Sequence, residues 1–226
     1  MVLVATALAT ILLALVHVFV GKLRFLKEDV AAWNSAAAGI GIAYAFLVLL
    51  PKLAAAQGTL ETVSESSLHG FLAHHAYFVA LAGLVFYYGM DVAVERVLVL
   101  PEKRTWRPAV RLLVHAHAGS LMGYYILISY LMSEQVDGSF IGYVSLLLFG
   151  TAMTLHYATV NFGLRRKYGG LYDRYIRWVF VVATITGWAA ATATQISYTT
   201  MALLNSLFAG ACLYLLLRKK CLELPA

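Results

Sequence analysis

Charge is what this sequence has least of. Only 12% of its 226 residues are Asp, Glu, Lys or Arg, about half of what a water-facing surface needs. With 62% hydrophobic residues and a mean hydropathy of +0.78, that excludes an ordinary soluble domain. Cysteine is almost absent: Cys212 and Cys221 lie far from any CxxC spacing, so no disulfide framework is implied. Four prolines and 17 glycines give no collagenous or low-complexity signal. What the sequence has in quantity is apolar runs of about 20 residues, the length that crosses a ~30 Å hydrocarbon core.

The runs predict an all-α, polytopic membrane protein in a single domain, with seven transmembrane helices at about 2–21, 33–55, 69–95, 109–132, 139–164, 174–195 and 199–217. Strands are excluded because the runs do not alternate, and a lipid-facing segment satisfies its own backbone hydrogen bonds only as a helix. Every Lys and Arg except Lys52 falls on one side: after span one, around the third and fifth connections, and after span seven. The opposite connections carry Glu61, Glu65, Glu134 and Asp137. The positive-inside bias therefore predicts an amino end outside and a carboxyl end in the cytoplasm. The first span reads as an inserted helix, since a cleaved leader needs a positive segment ahead of its apolar run. Juxtamembrane cations beside anionic headgroups account for the +6 net charge, so the partner expected is the lipid bilayer, with no nucleic acid.

Function is sought where polarity is costly. A ~1.5 Å rise per residue places His115 and His117 on span four and His156 on span five at a similar depth, with His17 and Asp91 nearer the same boundary and His74 and His75 in the outer half. Imidazoles facing one another from two helices suit a divalent ion such as zinc, iron or manganese. His115 and His117 are two apart and point about 160° from each other, so only one faces a given ion. The candidate metal ligands are His115 and His156, with His117 and Asn161 in support. Asp91, His17 and Asn205 are the candidate pathway residues, Asp91 alternatively pairing with a nearby cation. Interhelical hydrogen bonding is the other reading of each histidine. Small residues at 36–41, at Gly119 and Gly123, and at 189–193 predict close helix approach.

Two stretches resemble the ZIP (Zrt/Irt-like) metal-ion transporters. GIGIAYAFLVLLPKL, residues 39–53, is similar to their second helix, and LLNSLFAGACLYLLL, residues 203–217, to the helix carrying an Ala-Gly-x-x-Leu-Tyr pattern, here Ala209, Gly210, Leu213 and Tyr214. The resemblance implies a multi-pass carrier in the cell membrane (the inner membrane in a bacterium), with a divalent cation as cargo, no catalytic residues, and a homodimer as a compatible assembly. The departures lie at the metal site. The family's His-Asn-x-x-Asp-Gly falls on Val114, His115, Ala118 and Gly119, and its His-Glu-x-Pro-His-Glu on His156, Tyr157, Thr159, Val160 and Asn161. Val48 and Lys52 replace the His and Glu around Leu-Leu-Pro, and an eighth helix is missing. A site of several carboxylates is therefore replaced by a reduced, histidine-rich one.

Two alternatives come from other classes. A haem-binding, cytochrome-like bundle would use His115 or His117 with His156 as axial ligands. A membrane-embedded methyltransferase is suggested by GGLYDRYIRW, which lacks the Arg-His-Pro of isoprenylcysteine-type enzymes. A retinal protein is excluded because span seven has no lysine for a Schiff base.

Overall fold

The structure is a computed structural model, and it describes residues 1–22, 35, 39–40, 42–61, 75–98, 108–133 and 136–221, with side chains to 216. The described residues contain helices and no strands, and seven of the helices are long and apolar enough to cross a membrane. They are α1 (Val2–Lys22), α2 (Ile42–Glu61), α3 (Ala76–Leu98), α4 (Pro108–Ser133), α5 (Phe140–Tyr168), α6 (Tyr172–Ala193) and α7 (Tyr198–Cys221). The predicted starts of spans two and three, the His74, Glu65 and Glu134 positions, and most of the cationic clusters after span one and at the third connection lie outside the described residues.

Helices outrun the hydropathy where local chemistry allows it. α2 continues to Glu61 through Pro51, whose ring has no N–H and would strike the carbonyl four residues back. The turn preceding it, Ala45–Leu49, is a wide π turn that relieves this contact. α5 continues through Arg165, Arg166 and Lys167, cations that suit the negative end of a helix, and stops at Gly169, where φ is +53°. In the loop before α5, Gly138 takes φ +85°. There the Ser139 hydroxyl accepts from the Gly142 N–H at 3.0 Å, while Asp137 accepts from the Ser139 N–H at 2.9 Å.

Hydrogen bonds to Asp137 from Ser139, chiefly from its hydroxyl and then from its N–H, hold the carboxyl below the usual carboxylate range. A depressed folded-state value stabilises above the unfolded one and stops doing so as pH falls through the folded one. The melting temperature of Asp137→Ala should therefore lie below wild type at neutral pH, with the difference shrinking once pH falls below about 4, near the unfolded carboxylate value, and vanishing only below the folded one.

The chain divides into two compact units. The first comprises Met1–Pro51, Tyr125–Ile196 and Leu216–Ala226; the second, Lys52–Tyr124 and Ser197–Leu215. In the first, α1 packs on α5 and α6. Gly187 of α6 lies so close to α4 that a Cβ there would overlap the Ile126 carbonyl. In the second, Leu53, Ala56 and Leu60 of α2 pack with Ala76, Ala80 and Ala202, and the Gln57 side chain accepts the otherwise orphaned Ala76 N–H of α3 at 2.8 Å. α3 and α7 cross where Gly83 meets the Leu207 carbonyl and Gly210 meets that of Ala80. The predicted close approach at Gly119 and Gly123 is not found, since an added Cβ at either would meet nothing within 4 Å. Glycine spacing marks a small surface but does not choose which neighbour uses it.

Large apolar side chains fill the outward faces, among them Leu3, Leu8 and Leu12 of α1 and Leu147 and Leu148 of α5. Thr6, Thr10, Thr154, Thr159, Thr184 and Ser206 bond their hydroxyls to carbonyls three or four residues back. This is how a hydroxyl is kept satisfied at membrane depth.

Candidate functional site

In the second unit the site is built around a carboxylate. Asp91 of α3 is 1% exposed and is the only buried carboxylate among the described residues. The Tyr214 hydroxyl of α7 donates to its Oδ2 at 2.7 Å, and His117 Nε2 of α4 stands 3.7 Å from Oδ1. One turn before Asp91, Tyr87 donates to the Ser120 carbonyl at 2.8 Å, which fixes α3 against α4. Tyr124, Tyr87 and Phe208 pack ring against ring in the same unit. A carboxylate removed from water needs compensating donors or a cation. Here a phenol and an imidazole from two other helices supply them. The carboxylate, imidazole and phenol form a mixed oxygen and nitrogen donor set.

The first unit holds a separate polar cluster, entirely buried. His17 of α1, Tyr125 of α4, Tyr157 and Asn161 of α5, and Tyr172, Phe180 and Thr184 of α6 are all fully buried. Asn161 Oδ1 accepts from Tyr172 at 3.0 Å and Tyr125 at 3.4 Å, while its Nδ2 donates to the Tyr157 carbonyl at 2.7 Å. His17 Nε2 and Thr184 Oγ1 are 3.1 Å apart. Thr184 spends its one proton on the Phe180 carbonyl at 2.9 Å, so Nε2 carries the hydrogen and donates. The imidazole lies 4.6 Å from the Tyr125 ring and 4.9 Å from that of Tyr157.

The residues read from the sequence are therefore sorted. His117, not His115, turns inward. His115 is exposed, with Nδ1 2.6 Å from the Arg111 carbonyl one turn back, which corrects its assignment as a buried ligand: two positions apart on a helix, only one of the pair faces the interior. The partner of Asp91 given by the geometry is His117 with Tyr214. His156 is buried in the first unit beside Tyr44 and Met153, around a cavity of about 10 Å³, so it shares a unit with neither His115 nor His117. Asn161 serves tyrosines, His17 is the hub of the second cluster, His75 is exposed, and Asn205 is half-buried. Among the described residues no group of three or more His, Cys, Asp or Glu side chains comes together that could hold a metal ion. Sequence reasoning missed Tyr214, Tyr125, Tyr157, Tyr172 and Thr184. The signal available was the count of 14 tyrosines, several of them deep inside spans where a phenol needs a partner.

The fold and these sites define an all-helical, multi-pass membrane protein. Comparison of the chain with models of known protein families, with curated proteins and with solved structures finds no match.

Proposed function

We propose that the chain is a ZIP-like membrane carrier that passes a divalent cation by way of Asp91 and His117. The observation that carries this reading is a carboxylate buried at membrane depth and met by groups from two further helices. Carboxylate oxygen, imidazole nitrogen and phenol oxygen suit zinc, manganese or iron as cargo. Two strong protein ligands completed by water hold an ion weakly enough to release it, as a carrier must. The resemblance adds support through α7, because Gly210 and Tyr214 of its Ala-Gly-x-x-Leu-Tyr stretch are the residues that approach α3 and bond Asp91. The charge bias supports an amino end outside and a carboxyl end in the cytoplasm, in a cell membrane. The haem reading has no comparable support, since His117 faces Asp91, His115 is exposed, and His156 belongs to a different unit from both. The methyl-transfer reading likewise gains none.

In proteoliposomes loaded with a zinc-sensitive dye, Asp91→Asn should lower the initial rate of zinc uptake at least ten-fold, with the variant eluting as wild type on size exclusion. Unchanged uptake in a folded Asp91→Asn protein would refute the assignment.

A further inference from the structure

The carboxyl end of α5 lies in the first unit, apart from the cation site, and carries charge that the fold does not use. α5 runs for 29 residues, ~43 Å at ~1.5 Å per residue, which crosses a ~30 Å hydrocarbon core and enters the headgroup regions. Its last turn therefore reaches the depth of lipid phosphates. Five cations and a single acid, Asp173, fall between residues 165 and 177. Among them opens a cavity of about 300 Å³, lined by Phe162, Arg165, Arg166, Gly169, Gly170 and Asp173. Ligand pockets begin at about that volume.

The lining residues have separate parts. Arg165 donates from Nε and Nη2 to the two carboxylate oxygens of Asp173 at 2.8 and 3.0 Å, and its guanidinium lies against Gly21 of α1. That pair adds no net charge and fixes one wall of the cavity. The Arg166 side chain is exposed, and among the described residues it has no hydrogen-bond or ion-pair partner. Gly169 and Gly170 leave the adjoining backbone bare, since a Cβ added at either would meet nothing within 4 Å. Phe162, half-buried, supplies an apolar wall. Further along α6, Leu171, Tyr175 and Trp178 are exposed, and exposed Tyr and Trp mark the headgroup level of a bilayer.

We propose that this cavity binds the phosphate of an anionic phospholipid, with the Arg166 guanidinium as the group that recognises it and the Arg165–Asp173 pair as its fixed wall. A guanidinium matches a phosphate with two parallel N–H donors, and basic pockets between transmembrane helices at this depth hold anionic headgroups. A zwitterionic headgroup brings its own cation toward Arg166 and is disfavoured, so the site selects phosphatidylglycerol over phosphatidylcholine. The ligand chemistry is a phosphate with net negative charge. Phe162 in the wall and the exposed side chains of α6 favour a lipid over a free phosphate, because only a lipid has an apolar stem to lay against them.

The test is native mass spectrometry of the full chain released from detergent after exposure to equal amounts of phosphatidylglycerol and phosphatidylcholine. Wild type should keep phosphatidylglycerol in roughly five-fold preference, the selectivity one basic residue gives at an anionic surface. Arg166→Gln, at an exposed position, should elute as wild type on size exclusion and lose the preference. Arg174→Gln removes the same charge from another exposed residue, eight positions on and outside the cavity, and should keep it. Inorganic phosphate in excess at matched ionic strength should leave the bound lipid in place; displacement would overturn the lipid as the source and make the site one for soluble phosphate. No preference in wild type, or an unchanged preference in Arg166→Gln, would overturn the site. An equal loss in Arg174→Gln would overturn it too, by showing attraction to the cationic cluster at large.

Discussion

Gly210→Val should yield little or no folded protein in detergent, while Gly123→Ala, on a helix of the same unit, should purify and melt as wild type. At Gly210 even a methyl group would overlap the Ala80 carbonyl and press on the Ala80 Cα behind it. Backbone cannot rotate aside as a flexible side chain can. Three residues away, Gly83 faces the Leu207 carbonyl in the reciprocal arrangement, so the α3–α7 crossing is built of two glycines, each against the other helix's backbone. Valine would force the helices apart along the whole crossing. Ordinary overpacking costs roughly 1–3 kcal/mol, and a clash with backbone on both sides of a crossing should reach or exceed the upper end. The damage should extend to function, because Tyr214 lies one turn beyond Gly210 and donates to Asp91. Any fraction of Gly210→Val that does fold should show defective zinc uptake. At Gly123 nothing lies within 4 Å of an added Cβ, and alanine there gains up to about 1 kcal/mol of helix propensity over glycine. Size-exclusion yield and a detergent melting curve separate the two variants.

The contrast between these glycines shows which parts of the molecule were legible in the sequence. The number and approximate place of the helices follow from hydropathy because each span meets the bilayer requirement alone, without reference to its neighbours. Residue meetings do not follow, since they depend on how helices distant in sequence are registered. Gly119 and Gly123 have the spacing of a close crossing, yet the crossings occur at Gly83, Gly187 and Gly210. The alternation of His115 and His117 showed that one of them faces inward, but the choice depended on Asp91, 26 positions before His117 and on another helix. His17 and Asp91 stood out as isolated polar residues in apolar surroundings. Of their partners, Tyr214 entered only as a position of the Ala-Gly-x-x-Leu-Tyr stretch and Thr184 not at all, because threonine and tyrosine are ordinary in spans and gain their roles only from contacts across 167 and 123 residues.

Asn161→Leu should be the most damaging polar substitution in the first unit. The side chains have the same number of heavy atoms, so no cavity forms, and the loss combines missing hydrogen bonds with the extra bulk of two methyl groups. Asn161 is fully buried. Its Oδ1 is the acceptor for Tyr172 and the weaker one for Tyr125, and its Nδ2 donates to the Tyr157 carbonyl. Leucine takes both acceptor positions from the phenols, and bulk water does not reach them. Tyr172 has a second acceptor, the His17 carbonyl at 3.4 Å, and can recover part of its loss. Tyr125, with His17, Tyr157 and Phe180 at ring distances of 4.6–4.7 Å, loses this acceptor as well. A stranded buried hydroxyl costs about 1–3 kcal/mol. Two phenols that lose this acceptor, Tyr172 recovering in part, therefore predict a loss on the order of 3 kcal/mol, or roughly 10 °C in melting temperature for a chain of this size. Asn161→Asp, when protonated, keeps a carbonyl oxygen for Tyr172 and Tyr125 and an O–H donor for the Tyr157 carbonyl, so it restores the hydrogen bonds that leucine removes. If the tyrosines are what Asn161 serves, it should melt well above Asn161→Leu at a pH low enough to keep the new acid neutral. Equal melting of the two variants would mean that hydrogen bonding at position 161 does not set the stability of this cluster.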